Sequence, residues 1–249
     1  MRHAWLPAAL AVLSCTFSSI AHADCEDRPG SGVDWTNCSK RLLMLVNYDL
    51  RQANMQRALV GGTTFTGSRL AGANLTEAEM TFAKFDNADL TGAVMVKATG
   101  SRASFAGAKL VDAKLVSAEI GRTSFAGADL SRADLSKSEM IRSDFSRARL
   151  SGANLSKAEL ARIVLTGAAL DGINLSYSNL ARADLRGADL STADMTGAYL
   201  FRTRLDDANL SGTKGLTQAQ LDLACGTAGT ALASGLTRPA AWPCADDPD

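Results

Sequence analysis

Histidine is almost absent from this chain: His3 and His22 are the only two among 249 residues. Both lie in the N-terminal segment 1–23, which carries the marks of a removable leader, so the mature protein is predicted to contain no histidine. This excludes Ser-His-Asp and Cys-His catalytic arrangements and imidazole-based metal sites. No glycine-rich phosphate loop is present either. We therefore expect no enzymatic activity, no cofactor and no metal ion.

Proline and long apolar runs are scarce as well. None of the 5 prolines falls between residues 41 and 214, as expected if that segment needs its backbone N–H groups for a hydrogen-bonded ladder. Beyond residue 23 no apolar run is long enough to cross a membrane. The charge is balanced, with 26 Lys and Arg against 26 Asp and Glu, so bulk electrostatics favour no class of partner.

What the chain does have is a short repeat. Every fifth residue from Leu45 to Leu210 is apolar, with Gly100 as the exception. The residue two places earlier is usually Ala, and the residue between them is often Asp or Asn. This period matches neither the alternation of a strand nor the periodicity of a helix. It predicts a short extended segment followed by a turn, with two of every five side chains pointing inward.

Two unrelated residue types also recur at a longer interval of 20 residues. Phenylalanine does so at large inward positions, namely Phe65, Phe85, Phe105, Phe125 and Phe145. Arginine does so at an outer position, namely Arg102, Arg122, Arg142, Arg162, Arg182 and Arg202. We infer four repeats per coil and a square cross-section. Coils ~4.8 Å apart would build a rod of about 40 Å with a filled core, in which Gly100 leaves a void or a kink.

The A(D/N)LXX unit, as in Ala128-Asp129-Leu130, resembles that of the pentapeptide-repeat family over residues of about 40 to 214. The resemblance implies an all-β fold, a right-handed quadrilateral β-helix with about 20 residues per coil, β-turns at its corners and a short helical C-terminal cap. We accordingly divide the chain into a leader (1–23), an N-terminal cap (24–40), the repeats (41–214) and a C-terminal cap (215–249).

Residues 1–23 are typical of a secretory signal peptide. They contain Arg2, an apolar stretch at 4–13 and an Ala21-His22-Ala23 cleavage site. Cleavage after Ala23 predicts a periplasmic or secreted protein without a transmembrane segment. An uncleaved membrane anchor and lipidation of Cys15 are the alternatives.

Cleavage would leave four cysteines: Cys25, Cys38, Cys225 and Cys244. An even number in an exported chain predicts disulfides. The rod ends are about 40 Å apart and bridged Cα atoms approach within about 7 Å, so the pairs Cys25–Cys38 and Cys225–Cys244 are favoured. Each would hold a cap over one end. Free buried cysteines are the alternative, since Cys38 could point inward.

The C-terminal cap has signals of its own. Thr217 is predicted to cap a helix at residues 218–224, which Gly226 would terminate. Pro239, Trp242 and Pro243 form a stiff tail that could lie on the last coil. Similar segments follow the repeats in exported members of the family.

The candidate site is the arginine column, together with lysines on an adjoining face. The lysines are Lys97, Lys137 and Lys157. Stacked like charges repel by about 1 kcal/mol per neighbouring pair even in water. Glu119, Glu139 and Glu159 could neutralise the arginines three residues downstream, which would make the column structural. Otherwise the column is a surface for a polyanion such as lipopolysaccharide or an acidic glycan.

These observations favour an exported, non-enzymatic scaffold or binding module of the periplasm or cell envelope, with a protein or envelope-polymer partner and no nucleic acid. Polyanion binding is the alternative. The family resemblance adds another, because some pentapeptide-repeat proteins mimic DNA and bind DNA gyrase. Residues 41–214 contain 22 Lys and Arg against 18 Asp and Glu, which disfavours DNA mimicry because a mimic needs a strongly negative surface.

Overall fold

The structure is a computed structural model that describes residues 24–244. Within that range the backbone forms isolated parallel bridges between residues 20 apart, from Asp34↔Asn54 to Asp194↔Lys214. They occur once per five-residue unit and are too short to be called strands. The helix of the described part is α1, Gln218–Leu221. The chain therefore climbs as stacked coils, each with four sides.

Most corners are β-turns with a left-handed residue, and Thr192 and Gly212 are exceptions in the conformation of that residue. In the turn at residues 65–68, the Ser68 N–H donates to the Phe65 carbonyl at 2.9 Å, and Gly67 has φ = 68°. A positive φ at the third residue is the mark of a type II turn. Glycine is not required, because residues such as Asn87 adopt φ = 56° at the same place in their units.

The frequent Asp or Asn of the repeat has a local role at these turns. The Ser131 N–H donates to Asp129 Oδ1 at 3.1 Å, and the Ser131 hydroxyl donates to the same oxygen at 2.6 Å. Asn74 accepts equivalent bonds from Thr76 at 3.1 and 2.6 Å. The short side chain thus satisfies the N–H of the first turn residue, as in an Asx-turn.

Phenylalanine rings stack at the centre of the rod. Successive rings from Phe65 to Phe145 lie 4.7–5.0 Å apart, within 8° of parallel, and all five side chains are fully buried. Leu165 continues the column, and Ile163 replaces the usual small residue beside it, both fully buried. The larger partner supplies volume that the smaller central side chain lacks.

At Gly100 the regular stack is disturbed. Its φ is 145°, and the turn at residues 101–102 opens into a bend. A Cβ at this position would lie 2.7 Å from the Thr81 nitrogen and 2.9 Å from the Met80 carbonyl carbon. The predicted kink is therefore present, with the backbone lying close against the preceding coil.

The N-terminal cap is held by the disulfide between Cys25 and Cys38, whose Cα atoms are 5.4 Å apart. Cys38 points inward and is buried, yet it is bonded. Trp35 is fully buried under this cap and donates from Nε1 to the Asp27 carbonyl at 3.1 Å. The cap therefore closes the first coil over a large aromatic side chain.

The C-terminal cap differs from its prediction in one respect. Thr217 caps α1 through a capping box with Gln220, but the helix ends at Leu221, well short of Ala224. Gly226 does not terminate it; a Cβ there would lie 2.5 Å from the Trp242 ring, so this glycine makes room for the indole. Trp242 is buried and donates from Nε1 to the Ala224 carbonyl at 2.6 Å.

The second disulfide completes this cap. The Cα atoms of Cys225 and Cys244 are 5.3 Å apart, and Cys225 pairs with Arg204 of the last regular coil. Both favoured cysteine pairs are therefore present. The predicted signal peptide and Cys15 lie outside the described residues.

Candidate functional site

The arginine column occupies one corner of the rod. We call this the Arg corner: the turn residues 101–102, 121–122, 141–142, 161–162, 181–182 and 201–202. In each pair the arginine is the second turn residue, and its φ is positive, between 53° and 61°. An L-residue pays roughly 1–2 kcal/mol for this conformation, whereas glycine does not. Arginine therefore occupies, on six successive coils, a backbone position that glycine would adopt at lower conformational cost.

The predicted ion pairs at this corner are not formed. Within residues 24–244, Arg122, Arg142 and Arg162 make no ion pair, and so the expected contacts with Glu119, Glu139 and Glu159 are wrong. Arg102 lies over the Phe82 ring, 5.7 Å from its centre. Other corners do contain such pairs, for example Arg132 with Asp112 at 2.7 Å.

The cause is the shape of the corner. Two shallow depressions adjoin there, and both are lined by Ser101, Gly121 and Ile141. Arg102, Arg122 and Arg142 line one of them, and Glu119 and Glu139 line the other. The arginines and the glutamates thus border different depressions, which share the first residues of the turns.

Backbone donors are also open along this corner. The N–H groups of four first turn residues make no hydrogen bond to any atom of residues 24–244; they belong to Ser101, Gly121, Ile141 and Ala161. The residue two places earlier is Thr99, Glu119, Glu139 or Glu159 in place of the usual Asp or Asn. The sequence reasoning missed this feature, and the exchange of Asp for Glu does not signal it alone, because Glu79 of the same column accepts from the Thr81 N–H at 2.8 Å.

The remaining candidate cations are three lysines at the adjoining corner and two arginines on the coils nearest the C-terminal cap. Lys97, Lys137 and Lys157 are exposed second turn residues of the adjoining corner, with φ of 55–60°. The amides of Arg182 and Arg202 donate to the carbonyls of Phe201 and Leu223, at 2.8 and 2.7 Å. The upper end of the Arg corner is therefore joined to the C-terminal cap.

A different face shows what a structural charge column looks like. Its outward residues alternate in sign and pair coil to coil: Asp49, Arg69, Asp89, Lys109, Asp129 and Arg149. Arg149 contacts Asp129 at 2.5 Å and Arg69 contacts Asp49 at 3.0 Å. A hydrogen bond from the Arg51 side chain lowers the pKa of Asp49 to about 2. The Arg corner has no comparable alternation.

An apolar surface lies at the first coil. Leu42 and Met44 are 80% and 71% exposed, and Val46 and Tyr48 beside them are also exposed. Residues 32–40 pair with only two sides of this coil. The other two sides, which contain these four residues, have no preceding coil within the described part of the chain.

Within residues 24–244, no cluster of three or more His, Cys, Asp or Glu could hold a metal ion. No helix in this range has the length and apolar character that crossing a bilayer requires.

The family model for pentapeptide repeats matches the chain in 8 copies, over residues 45–81, 53–92, 83–120, 113–152, 143–176 and 178–214. The protein belongs to the pentapeptide-repeat family. Members of this family form right-handed quadrilateral β-helices and are generally non-enzymatic structural or binding modules.

Solved structures of this family resemble the protein. Full-length QnrB1, a plasmid-mediated fluoroquinolone resistance protein, is 20% identical with a TM-score of 0.60, covering 79% of this chain and 94% of its own. HetL, involved in heterocyst differentiation regulation in Nostoc sp. strain PCC 7120, is 28% identical with a TM-score of 0.35, covering 81% and 86%. QnrB1 shares the fold at an identity too low to indicate function. No curated protein matches the chain in sequence.

Proposed function

We propose that this pentapeptide-repeat protein is an exported, non-enzymatic binding module whose Arg corner binds anionic polymers of the cell envelope. The proposal takes residues 41–214 as a right-handed quadrilateral β-helix of about 20 residues per coil, with caps at 24–40 and 215–249. It takes 1–23 as a signal peptide. The observation that carries it is the run Arg102, Arg122, Arg142 and Arg162, which has no ion-pair partner within the described residues.

Export to an oxidising compartment is supported by the two disulfides. Both close cap segments over the ends of the rod, at Cys25–Cys38 and Cys225–Cys244. Disulfides persist in the periplasm and outside the cell but are rare in the cytosol. Disulfide-bonded caps at both ends of the rod therefore agree with the oxidising compartment to which the predicted signal peptide would export the protein.

Polyanion binding is supported by the spacing and the conformation of the arginines. The guanidinium groups of Arg122, Arg142 and Arg162 belong to successive coils about 4.8 Å apart at their backbones. They repel one another, and no carboxylate of residues 24–244 pairs with them. A bound polyanion would remove that repulsion and release counterions, so its affinity would fall with salt. Arginine also presents a planar fork that matches carboxylate and phosphate oxygens.

The test compares two triple variants of the full chain, exported and purified from the periplasm. The first is Arg122→Gly, Arg142→Gly and Arg162→Gly. The matched control is Arg57→Gly, Arg132→Gly and Arg147→Gly, which removes the same charge from turn residues of the same positive φ, 55–58°, at other corners. Binding to lipopolysaccharide and to heparin is measured across a salt series.

We expect the first triple to abolish salt-sensitive binding and the control triple to reduce it only slightly. Equal loss in both would mean that overall charge is responsible, and no binding by the unaltered protein would end the proposal. In either case the apolar surface at Leu42 and Met44 becomes the place to seek a protein partner. Inhibition of DNA supercoiling by the exported protein would favour the gyrase alternative instead.

A further inference from the structure

We infer that each anionic group is held by two donors on one coil, the arginine and the backbone N–H of the residue before it. The pairs are Ser101 with Arg102, Gly121 with Arg122, Ile141 with Arg142, and Ala161 with Arg162. The inference rests on the proposed function, and it identifies the ligand as an extended polymer that carries carboxylate or phosphate oxygens. It also makes the glutamates of this corner part of the site.

The N–H of a first turn residue points at the solvent side of the rod. Equivalent groups elsewhere show this, because the Ser131 and Ser176 N–H groups donate to the outward side chains of Asp129 and Asn174 at 3.1 and 3.0 Å. On the Arg corner the same groups of Gly121 and Ile141 have no acceptor among residues 24–244. The repeat therefore presents four open donors on successive coils.

The donors at Gly121 and Ile141 stay open beside Glu119 and Glu139, which accept no bond from them. Asn179, in the same column as Glu119 and Glu139, accepts a bond from the Ala181 N–H at 3.0 Å and so closes that position. Glu119 and Glu139 line the second depression instead. Glu119 and Glu139 therefore leave open the donors that an Asn would close, although Glu79 of the same column does accept from its turn at Thr81.

One carboxylate is already bound in this column. Glu79 accepts from the Thr81 N–H at 2.8 Å and contacts the Arg41 guanidinium at 2.9 Å. It lies over Gly61, where a Cβ would come within 2.9 Å of its oxygen. The same three elements recur on later coils. They are the open N–H groups of Gly121 and Ile141, the guanidinium groups of Arg122 and Arg142, and the small residue Gly121. The geometry fits an oxyanion supplied from outside.

The test uses substitutions with opposite expected effects on affinity. Glu119→Gln with Glu139→Gln removes two negative charges and leaves the N–H groups open, so polyanion binding should strengthen. Glu119→Asn with Glu139→Asn removes the same charges but supplies the short side chain that closes the N–H groups. We expect the Asn pair to bind about tenfold more weakly than the Gln pair, since a charge-assisted hydrogen bond contributes about that factor.

Amide hydrogen exchange gives a second readout on the same proteins. The Gly121 and Ile141 amides should exchange rapidly in the unaltered protein, slowly in the Asn pair, and slowly again when polymer binds. Polygalacturonate supplies carboxylates alone, and lipopolysaccharide supplies phosphates as well, so the two probes distinguish the sources of the oxyanion.

Equal affinities for the Asn and Gln pairs, with the amides protected in the Asn pair, would overturn this inference and leave the proposed function intact. Insensitivity of binding to the arginine triple would overturn both. Tighter binding by the Gln pair, weaker binding by the Asn pair and ligand-induced protection of both amides would support it.

Discussion

The clearest quantitative expectation concerns the exchange of volume between the central column and its small partner. Phe105 lies between Phe85 and Phe125, with ring centres 4.8 and 5.0 Å away. Phe105→Leu removes two stacked pairs of about 0.5–1.5 kcal/mol each, so the free energy of unfolding should fall by about 2 kcal/mol. Ala103→Ile alone overpacks a filled coil and should lower it by about 1–3 kcal/mol.

Combined, the two changes should largely cancel, because they reproduce the Ile163 and Leu165 arrangement that the protein already has. We expect the double variant to exceed the sum of the singles by at least about 1 kcal/mol of coupling. Urea unfolding followed by far-ultraviolet circular dichroism measures all four proteins, and an unchanged m-value is required for the comparison. Additive losses would refute the reasoning that each coil conserves its own volume.

The pKa values of Asp49 and Asp194 are lowered to about 2, chiefly by hydrogen bonds from Arg51 and Lys214. The stability that these two carboxylates contribute is present above the ordinary carboxyl range near pH 4 and is lost as the pH falls towards 2. In the variant Asp49→Asn with Asp194→Asn, the urea concentration at the unfolding midpoint should therefore depend less on pH between about pH 5 and pH 2. Cys25→Ser with Cys38→Ser opens a loop with a sequence separation of 13 and should lower the free energy of unfolding by about 3 kcal/mol; an unchanged midpoint would show that the cap docks without its disulfide. Gly100→Ala should destabilise more than Gly127→Ala, because a Cβ meets backbone atoms at 2.7 Å in the first case and nothing within 4 Å in the second; equal thermal midpoints would contradict this.

The fold was accessible from the sequence because its two periods are direct records of geometry. The interval of five marks the turns, and the interval of 20 marks the coil, so Phe65 and Phe85 had to stack. The local cysteine pairs followed from the length of the rod. Each of these inferences depends on where a residue lies along the chain and on little else.

What the sequence did not reveal depends on side-chain reach. Glu139 and Arg142 are three residues apart, yet they line different depressions of the corner and form no ion pair. The preference for Asp or Asn in the repeat was visible, but its hydrogen bond to the turn was not. Without that bond, the open N–H groups beside Glu119 and Glu139 could not be anticipated. Likewise Gly226 signalled a helix end, whereas it accommodates Trp242.

Backbone bridges link each coil to its neighbours, between residues 20 apart. Stability in such an array is nearly a sum of local terms, and any interior coil can serve as a template for another. An in-frame duplication of one coil from residues 101–162 would lengthen the rod and add one arginine and one open amide in the correct phase. The proposed binding surface would thus lengthen or shorten in whole coils during evolution, with the number of coils as the inherited variable.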